Sequence, residues 1–257
     1  VTSPNAHEAL LRRLDAGTLT WRGPALMLFV RSVCALVAQG LVAVILALRS
    51  SPSPWLDAAA WLPVYGTLID LGCLALLWRL TRREGIGLFD LVGFERARLG
   101  RDVLLGLALI PVSLVFILGG IYTAGWLVYG TLTPPYMYEP LPLWAALYGV
   151  LVFPFVWGLV EQMTYNGYLA PRFQVLSRST AAAVALVAFS WSAQHVVMPL
   201  VFDPAFWAFR LLSPIPFTVF ATLLYLRWRR LVPFAVAHGL MDSAGVAIGV
   251  LWPLLRG

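Results

Sequence analysis

The sequence predicts an all-α polytopic membrane protein, a bundle of about seven transmembrane helices with its amino terminus in the cytoplasm. Three observations carry that reading. Hydrophobic residues make up 60% of the 257 and charged residues 12%, with a mean hydropathy of +0.82. A soluble domain usually carries about twice that share of charge. Eleven Trp and nine Tyr suit a chain with two water–lipid interfaces, where amphipathic rings settle. Finally, the basic residues, eighteen Arg and no Lys, fall mostly in short loops between apolar runs, so a nucleic-acid partner is not needed to explain them. Arg without Lys is the mark of GC-rich coding and points to a prokaryotic plasma membrane.

Residues 1–23 are polar, contain Arg12, Arg13 and Arg22, and lack the apolar core and small-residue site of a cleaved signal peptide; they read as a cytoplasmic segment. The first apolar run, Pro24 to Leu48, is long enough to span, with Arg31 placed to snorkel to the near interface. Ser50 to Pro54 opposes helix continuation. A second span runs from Ala58 to Leu80 and carries Asp70, which has no motif around it and is expected to find a structural partner, a hydroxyl or an Arg. Between Arg79 and Arg101, the pairs Leu88-Phe89 and Leu91-Val92 suggest a short amphipathic helix on the membrane surface. The third span covers Val103 to Leu127, and a Pro-rich loop without basic residues follows from Thr131 to Pro142.

The fourth span begins near Leu143 and carries Glu161 toward its far end, with Pro171, Arg172 and Arg178 marking the next turn. The fifth runs from Thr180 to Leu200, and the sixth from Phe206 to Leu226, where Pro214 and Pro216 should kink or split it. The seventh runs from Leu231 to Leu254. The chain thus divides into residues 1–23, an amino-terminal membrane region 24–140 and a core 141–257. With the amino terminus inside, fourteen Arg are cytoplasmic against Arg49, Arg210 and Arg256 outside, which satisfies the positive-inside rule. Glu161 and His238 then lie within a few turns of the cytoplasmic face, and a site opening to the cytoplasm is expected. Cys34 and Cys73 sit inside apolar runs without metal-ligand spacing and read as buried free thiols.

The chemistry concentrates in three stretches: Gly158-Leu-Val-Glu161-Gln162-Met-Thr-Tyr165-Asn166-Gly167, Trp191-Ser-Ala-Gln-His195 and His238-Gly-Leu-Met-Asp242. A carboxylate at membrane depth is costly and is a functional candidate by default. His238 and Asp242, four residues apart, share one helix face, so the carboxylate can orient the imidazole. Glu161 can act as general base toward a water, and His195 can polarise a carbonyl or stabilise an oxyanion. These are the parts for amide hydrolysis without a covalent nucleophile. Either His alone could equally make an interhelical hydrogen bond. Tyr165, four residues after Glu161, could hydrogen-bond it or face lipid headgroups. A zinc site from Glu161, His195, His238 and Asp242 is less favoured, because there is no H-E-x-x-H and the ligands come from three helices. No cofactor is expected.

The three motifs, in this order, resemble the CPBP family, also called Abi, which includes CAAX endopeptidases and bacteriocin-processing homologues. Its usual pattern is E-E-x-x-x-R, then F-x-x-x-H, then H-x-x-x-N or D. Gly87-Leu-Phe-Asp90-Leu-Val-Gly93 adds weaker support. The resemblance implies catalytic roles for Glu161, His195, His238 and Asp242, in a glutamate-activated water mechanism. Three positions depart from the pattern: Gln162 replaces the second Glu, Asn166 the Arg, and Trp191 the Phe, which keeps an aromatic wall. The two replaced positions of the first motif are four apart, so an ion pair has been exchanged as a unit for two amides able to hydrogen-bond.

Three functions fit these residues. The first is an intramembrane endopeptidase acting on a membrane-associated or lipid-modified protein. The second is a weak or inactive homologue serving as scaffold or accessory subunit to a membrane-protein partner. The third is a transporter using the acidic and His residues as a proton relay; the absence of an inverted repeat between the halves speaks against it. The endopeptidase reading is preferred, with lipid and a protein or peptide substrate as partners.

Overall fold

The computed structural model describes residues 4–132 and 141–256. Thirteen α-helices are present among them: α1 (Pro4–Asp15), α2 (Arg22–Leu48), α3 (Pro54–Ala59), α4 (Leu62–Arg83), α5 (Leu99–Tyr129), α6 (Leu143–Leu151), α7 (Phe153–Gln162), α8 (Ala170–Ser177), α9 (Thr180–Gln194), α10 (Pro204–Leu212), α11 (Ile215–Trp228), α12 (Val232–Val246) and α13 (Trp252–Arg256). Six helical stretches are long and apolar enough to cross a membrane: Arg22–Leu48, Leu62–Arg83, Leu88–Tyr129, Leu143–Ser177, Pro204–Trp228 and Val232–Leu255. The all-α membrane architecture follows directly.

The expected fifth span differs. α9 starts at Thr180, where Ser179 caps it by accepting the Ala182 amide, but it has only 15 residues and ends at Gln194 rather than Leu200. At about 1.5 Å per residue it cannot bridge a hydrocarbon core of about 30 Å. The chain instead turns through residues 195–203. That loop is held inside the bundle: Gln39 of α2 donates to the Leu200 carbonyl (2.9 Å) and accepts from its amide (2.8 Å), and the Trp55 indole donates to the same carbonyl (2.8 Å). Arg210 of α10 donates to the carbonyls of His195 and Met198 at 3.1 and 2.8 Å.

Proline and glycine explain the remaining boundaries. The sixth expected span is split between α10 and α11 at Ser213–Pro214, as its prolines predict. α3 interposes a short helix, with Pro54 in its first turn, so α4 starts at Leu62 instead of Ala58. The expected amphipathic helix after α4 is reduced to a single 3-10 turn, Leu88–Leu91. Asp90 accepts the Gly87 amide at 2.7 Å, and Gly93 adopts φ 61°, a left-handed conformation that stops the helix. Leu91 and Val92 are buried in the main core while Phe89 stays 71% exposed, so the turn packs on the bundle rather than floating on the surface. The Pro-rich loop expected from Thr131 to Pro142 lies mostly outside the described residues.

Pro171 and Arg172 do not end the fourth span. Helix continues to Ser177 because a π turn, Met163–Leu169, widens the backbone between α7 and α8. Single π turns inside helices recur at functional sites, and this one holds the second half of the first motif.

The two ends of the bundle are chemically distinct. At one, Glu84 pairs with Arg13 (3.2 Å) and Arg172, Arg230 pairs with Asp102, and Arg229 donates to Gln174. Leu10 and Leu19 pack there on Val175 of α8. At the other, Trp55 lies against Phe202, Trp61 against Trp144, and Tyr129 against Phe209. Between the two ends, α12 packs against α7 and α5, and α2 against α4.

Candidate active site

Glycines set the distance on which the site depends. A Cβ on Gly158 of α7 would lie 3.0 Å from the Gly239 amide nitrogen and 3.3 Å from the His238 Cβ; one on Gly239 would lie 2.9 Å from the Phe155 ring. Small residues let the two helices approach this closely. Glu161, one turn beyond Gly158, therefore meets His238, the neighbour of Gly239.

The geometry is a hydrogen-bonded set. Nε2 of His238 lies 3.2 Å from Oε2 of Glu161 and 3.3 Å from Oδ2 of Asp242. Nδ1 of the same ring is 3.3 Å from Nε2 of Gln162, whose Oε1 accepts from Asn166 Nδ2 at 2.7 Å. The Gln162 amide nitrogen can only donate, so Nδ1 accepts and the ring proton sits on Nε2, between the two carboxylates. The two departures from the first motif thus do pair with each other, as the spacing predicts, and they also reach the imidazole. Asn166, Gln162 and His238 form one chain of donors that selects a tautomer.

Glu161 and Gln162 are buried to within 1% exposure, His238 is 8% exposed, and the Asp242 side chain 31%. The other oxygen of Glu161, Oε1, accepts from Nε2 of Gln194. Gln194 in turn accepts from Nε of Arg31 at 2.8 Å. Arg31 does not snorkel. Its side chain is fully buried, donates from Nη1 to Asp70 at 3.0 Å, lies 4.2 Å over the Trp157 ring, and brings Nη2 to 3.9 Å from Glu161. The physical reason is Asp70 on the antiparallel α4, together with Gln194: compensated by a carboxylate and an amide, the guanidinium gains nothing by stretching to an interface. Asp70 has the Arg partner expected of it. Arg31 thus places a cation beside Glu161, although Asn166 in the first motif carries no charge.

His195 follows the last residue of α9. Its Nδ1 lies 2.8 Å from the Trp191 carbonyl. A carbonyl only accepts, so Nδ1 carries a proton and a neutral ring presents Nε2 as an acceptor. Trp191 is 1% exposed, stacked on Tyr165 at 5.1 Å with 5° between planes, and forms the aromatic wall beside His238. Tyr165 neither bonds Glu161 nor faces headgroups. It is fully buried and its hydroxyl has no partner among the described residues, because the π turn beginning at Met163 breaks the four-residue register with Glu161. Cys34 and Cys73 are free thiols, the second fully buried.

Glu161, Trp191, His195, His238 and Asp242 all line one cavity of about 710 Å³. Glu161 and His238 form its floor. Its walls continue to Leu62, Pro63, Ile121, Tyr122 and Leu132, at the aromatic end of the bundle. On the arginine-rich side of Glu161, the buried Met163, Tyr165, Leu169 and Phe173 fill the core. Among the described residues no group of three or more His, Cys, Asp or Glu side chains is arranged to hold a metal ion. The His238 Nε2 points its proton, not a lone pair, at Glu161 and Asp242.

The sequence reading missed Gln194 and the role of Arg31. Gln194 is adjacent to His195 inside a motif already singled out. An Arg in the first span and an Asp in the second, both unsolvated, are a pair by cost alone, and that signal was available.

Residues 142–244 match a family model described as Rce1-like, type II CAAX prenyl endopeptidase Rce1-like. No curated protein and no solved structure matches the chain. The matched stretch includes all three motifs and hence Glu161, His195, His238 and Asp242. The chain is an integral membrane protein, and its residues 142–244 are similar to the Rce1-like endopeptidases of the CPBP family.

Proposed function

We propose that this protein is an intramembrane endopeptidase that hydrolyses a peptide bond of a membrane-associated protein with a water activated by Glu161. The observation that carries this reading is the convergence of Glu161, His195, His238 and Asp242 on one cavity, inside the segment that matches the endopeptidase family.

In this reaction Glu161 takes a proton from water and the oxygen attacks the scissile carbonyl carbon. As Glu161 becomes protonated, the Nε2–H of His238 that it shared with Asp242 is released to the developing oxyanion, and the Gln162 amide keeps that proton on Nε2. The C–N bond then breaks as Glu161 returns the proton to the amine nitrogen. The sequence reading assigned the oxyanion to His195. With Nδ1 turned to the Trp191 carbonyl, neutral His195 instead suits accepting a hydrogen bond, from the water or from the substrate amide. Arg31 and Gln194 hold the Glu161 carboxylate toward the floor of the cavity.

The test is a survey of protein termini in membranes expressing wild type, Glu161→Gln or His238→Ala at equal levels. Loss of a general base typically costs about 10²–10⁴-fold in rate, so new ends present with wild type should fall at least ~100-fold in both variants. Unchanged termini, with well-folded variants recovering the same co-purifying proteins, would support the scaffold function instead.

A further inference from the structure

We propose that Gly245 sets the substrate specificity of the cavity: the space left by its missing side chain receives a large apolar residue of the substrate, about three positions from the bond that is cut. This deepens the proteolytic reading and rests on it.

His238, Met241, Asp242 and Gly245 follow one another at helical spacing, so one face of α12 brings an imidazole, a carboxylate and then a bare glycine to the same cavity. Glycine inside a helix is less stable than alanine, and one kept there has a packing or a functional reason. Packing accounts for its neighbours. An added Cβ would come within 3.1 Å of a neighbouring helix at Gly106, Gly149, Gly158 and Gly239. At Gly245 it would meet no atom within 4 Å. Nor does the backbone require glycine there: Gly245 lies inside α12, and the positive-φ glycines are Gly17, Gly85, Gly93 and Gly130. What the missing side chain leaves is cavity.

The facing helix names the chemistry of the occupant. Asp102 pairs with Arg230, and Gly106 meets Pro233 and Val236, so α5 and α12 run side by side in the same direction. Ile117 of α5 and Gly245 of α12 therefore come level in the lining, with Ile121 one turn further along. A slot with aliphatic walls takes an apolar group and rejects a charged one. Its place along the substrate follows from helix geometry. Gly245 lies seven residues beyond His238, about 10 Å at a rise of about 1.5 Å per residue. An extended peptide advances about 3.3 Å per residue, so the side chain over Gly245 belongs to a residue about three positions from the scissile bond.

The experiment is a survey of protein termini in membranes expressing wild type, Gly245→Ala or Gly245→Leu of the full chain at equal levels. Each is read against its Glu161→Gln counterpart, so that only Glu161-dependent ends count. A single methylene in an apolar pocket discriminates by about 10–200-fold. With Gly245→Leu, ends carrying Leu, Ile, Met, Phe or Trp about three positions from the cut should therefore fall at least ~10-fold relative to ends carrying Gly, Ala or Ser there. Gly245→Ala should fall between, and it carries the test if Gly245→Leu does not accumulate. Gly119→Leu makes the same change at an exposed glycine of α5 whose added Cβ also meets nothing within 4 Å, and it should keep the wild-type pattern. A uniform fall of all ends in Gly245→Leu, or the same shift in Gly119→Leu, overturns the proposal. So does a thermal midpoint of Gly245→Ala below that of wild type, because the glycine would then serve the backbone ahead of the π turn Ala247–Leu251. Glu161-dependent ends that persist unshifted in Gly245→Leu sink the specificity role alone; their absence from wild type sinks the proteolytic reading with it.

Discussion

Arg31 and Asp70 show what a pair of opposite charges does when neither can reach water. Their side chains are 0% and 1% exposed and 3.0 Å apart. Breaking such a pair by removing one partner strands a buried charge and costs about 3–5 kcal/mol, whereas replacing both by apolar residues is often neutral or better. Asp70→Ala should therefore lower unfolding stability in detergent by that amount, and Arg31→Met with Asp70→Leu should recover most of it. Wild-type stability for Asp70→Ala would show that the pair does not hold α2 to α4. The double variant also separates structure from chemistry. It restores packing without the cation 3.9 Å from Glu161, so stability and proteolysis should part company in it.

At the scale of elements, the crossing of α7 and α12 carries the site. Gly158 and Gly239 leave no space for a side chain between them. Gly158→Leu should push the helices apart, at a cost of about 1–3 kcal/mol for overpacking. Thermal unfolding would read that loss, and Glu161 would separate from His238 even though neither residue was changed. The π turn works in the same way at its own location. It turns Tyr165 into the core and allows Pro171 to continue a helix that its sequence alone would end.

Across the whole molecule, the amino-terminal helices clamp the core that the family match covers. Gln39 of α2 makes two hydrogen bonds to the backbone of Leu200, and through that loop it fixes the end of α9 where His195 sits. Net hydrogen-bond contributions of about 1 kcal/mol each predict that Gln39→Leu should speed amide hydrogen exchange of residues 196–201 by about thirtyfold, measured by mass spectrometry. Unchanged exchange there would mean that Arg210 and Trp55 hold the loop without it.

Much of this was written in local pattern. Apolar run length and turn residues placed six of the seven expected spans, and four-residue spacing put Asp242 beside His238 and Asn166 beside Gln162. Such features depend on helical periodicity, a property of neighbours in sequence. The short α9, the buried Arg31, the inward Tyr165 and the direction in which the cavity opens were decided elsewhere. Each depends on which side chain of a distant helix stands opposite: Asp70 for Arg31, Trp191 for Tyr165, Gln39 and Arg210 for the loop after α9. The sequence by itself determined the membrane-spanning class and the identity of the chemical groups. Only the tertiary structure decided how they are charged, paired and reached, because a buried polar group takes its state from the partner that replaces water.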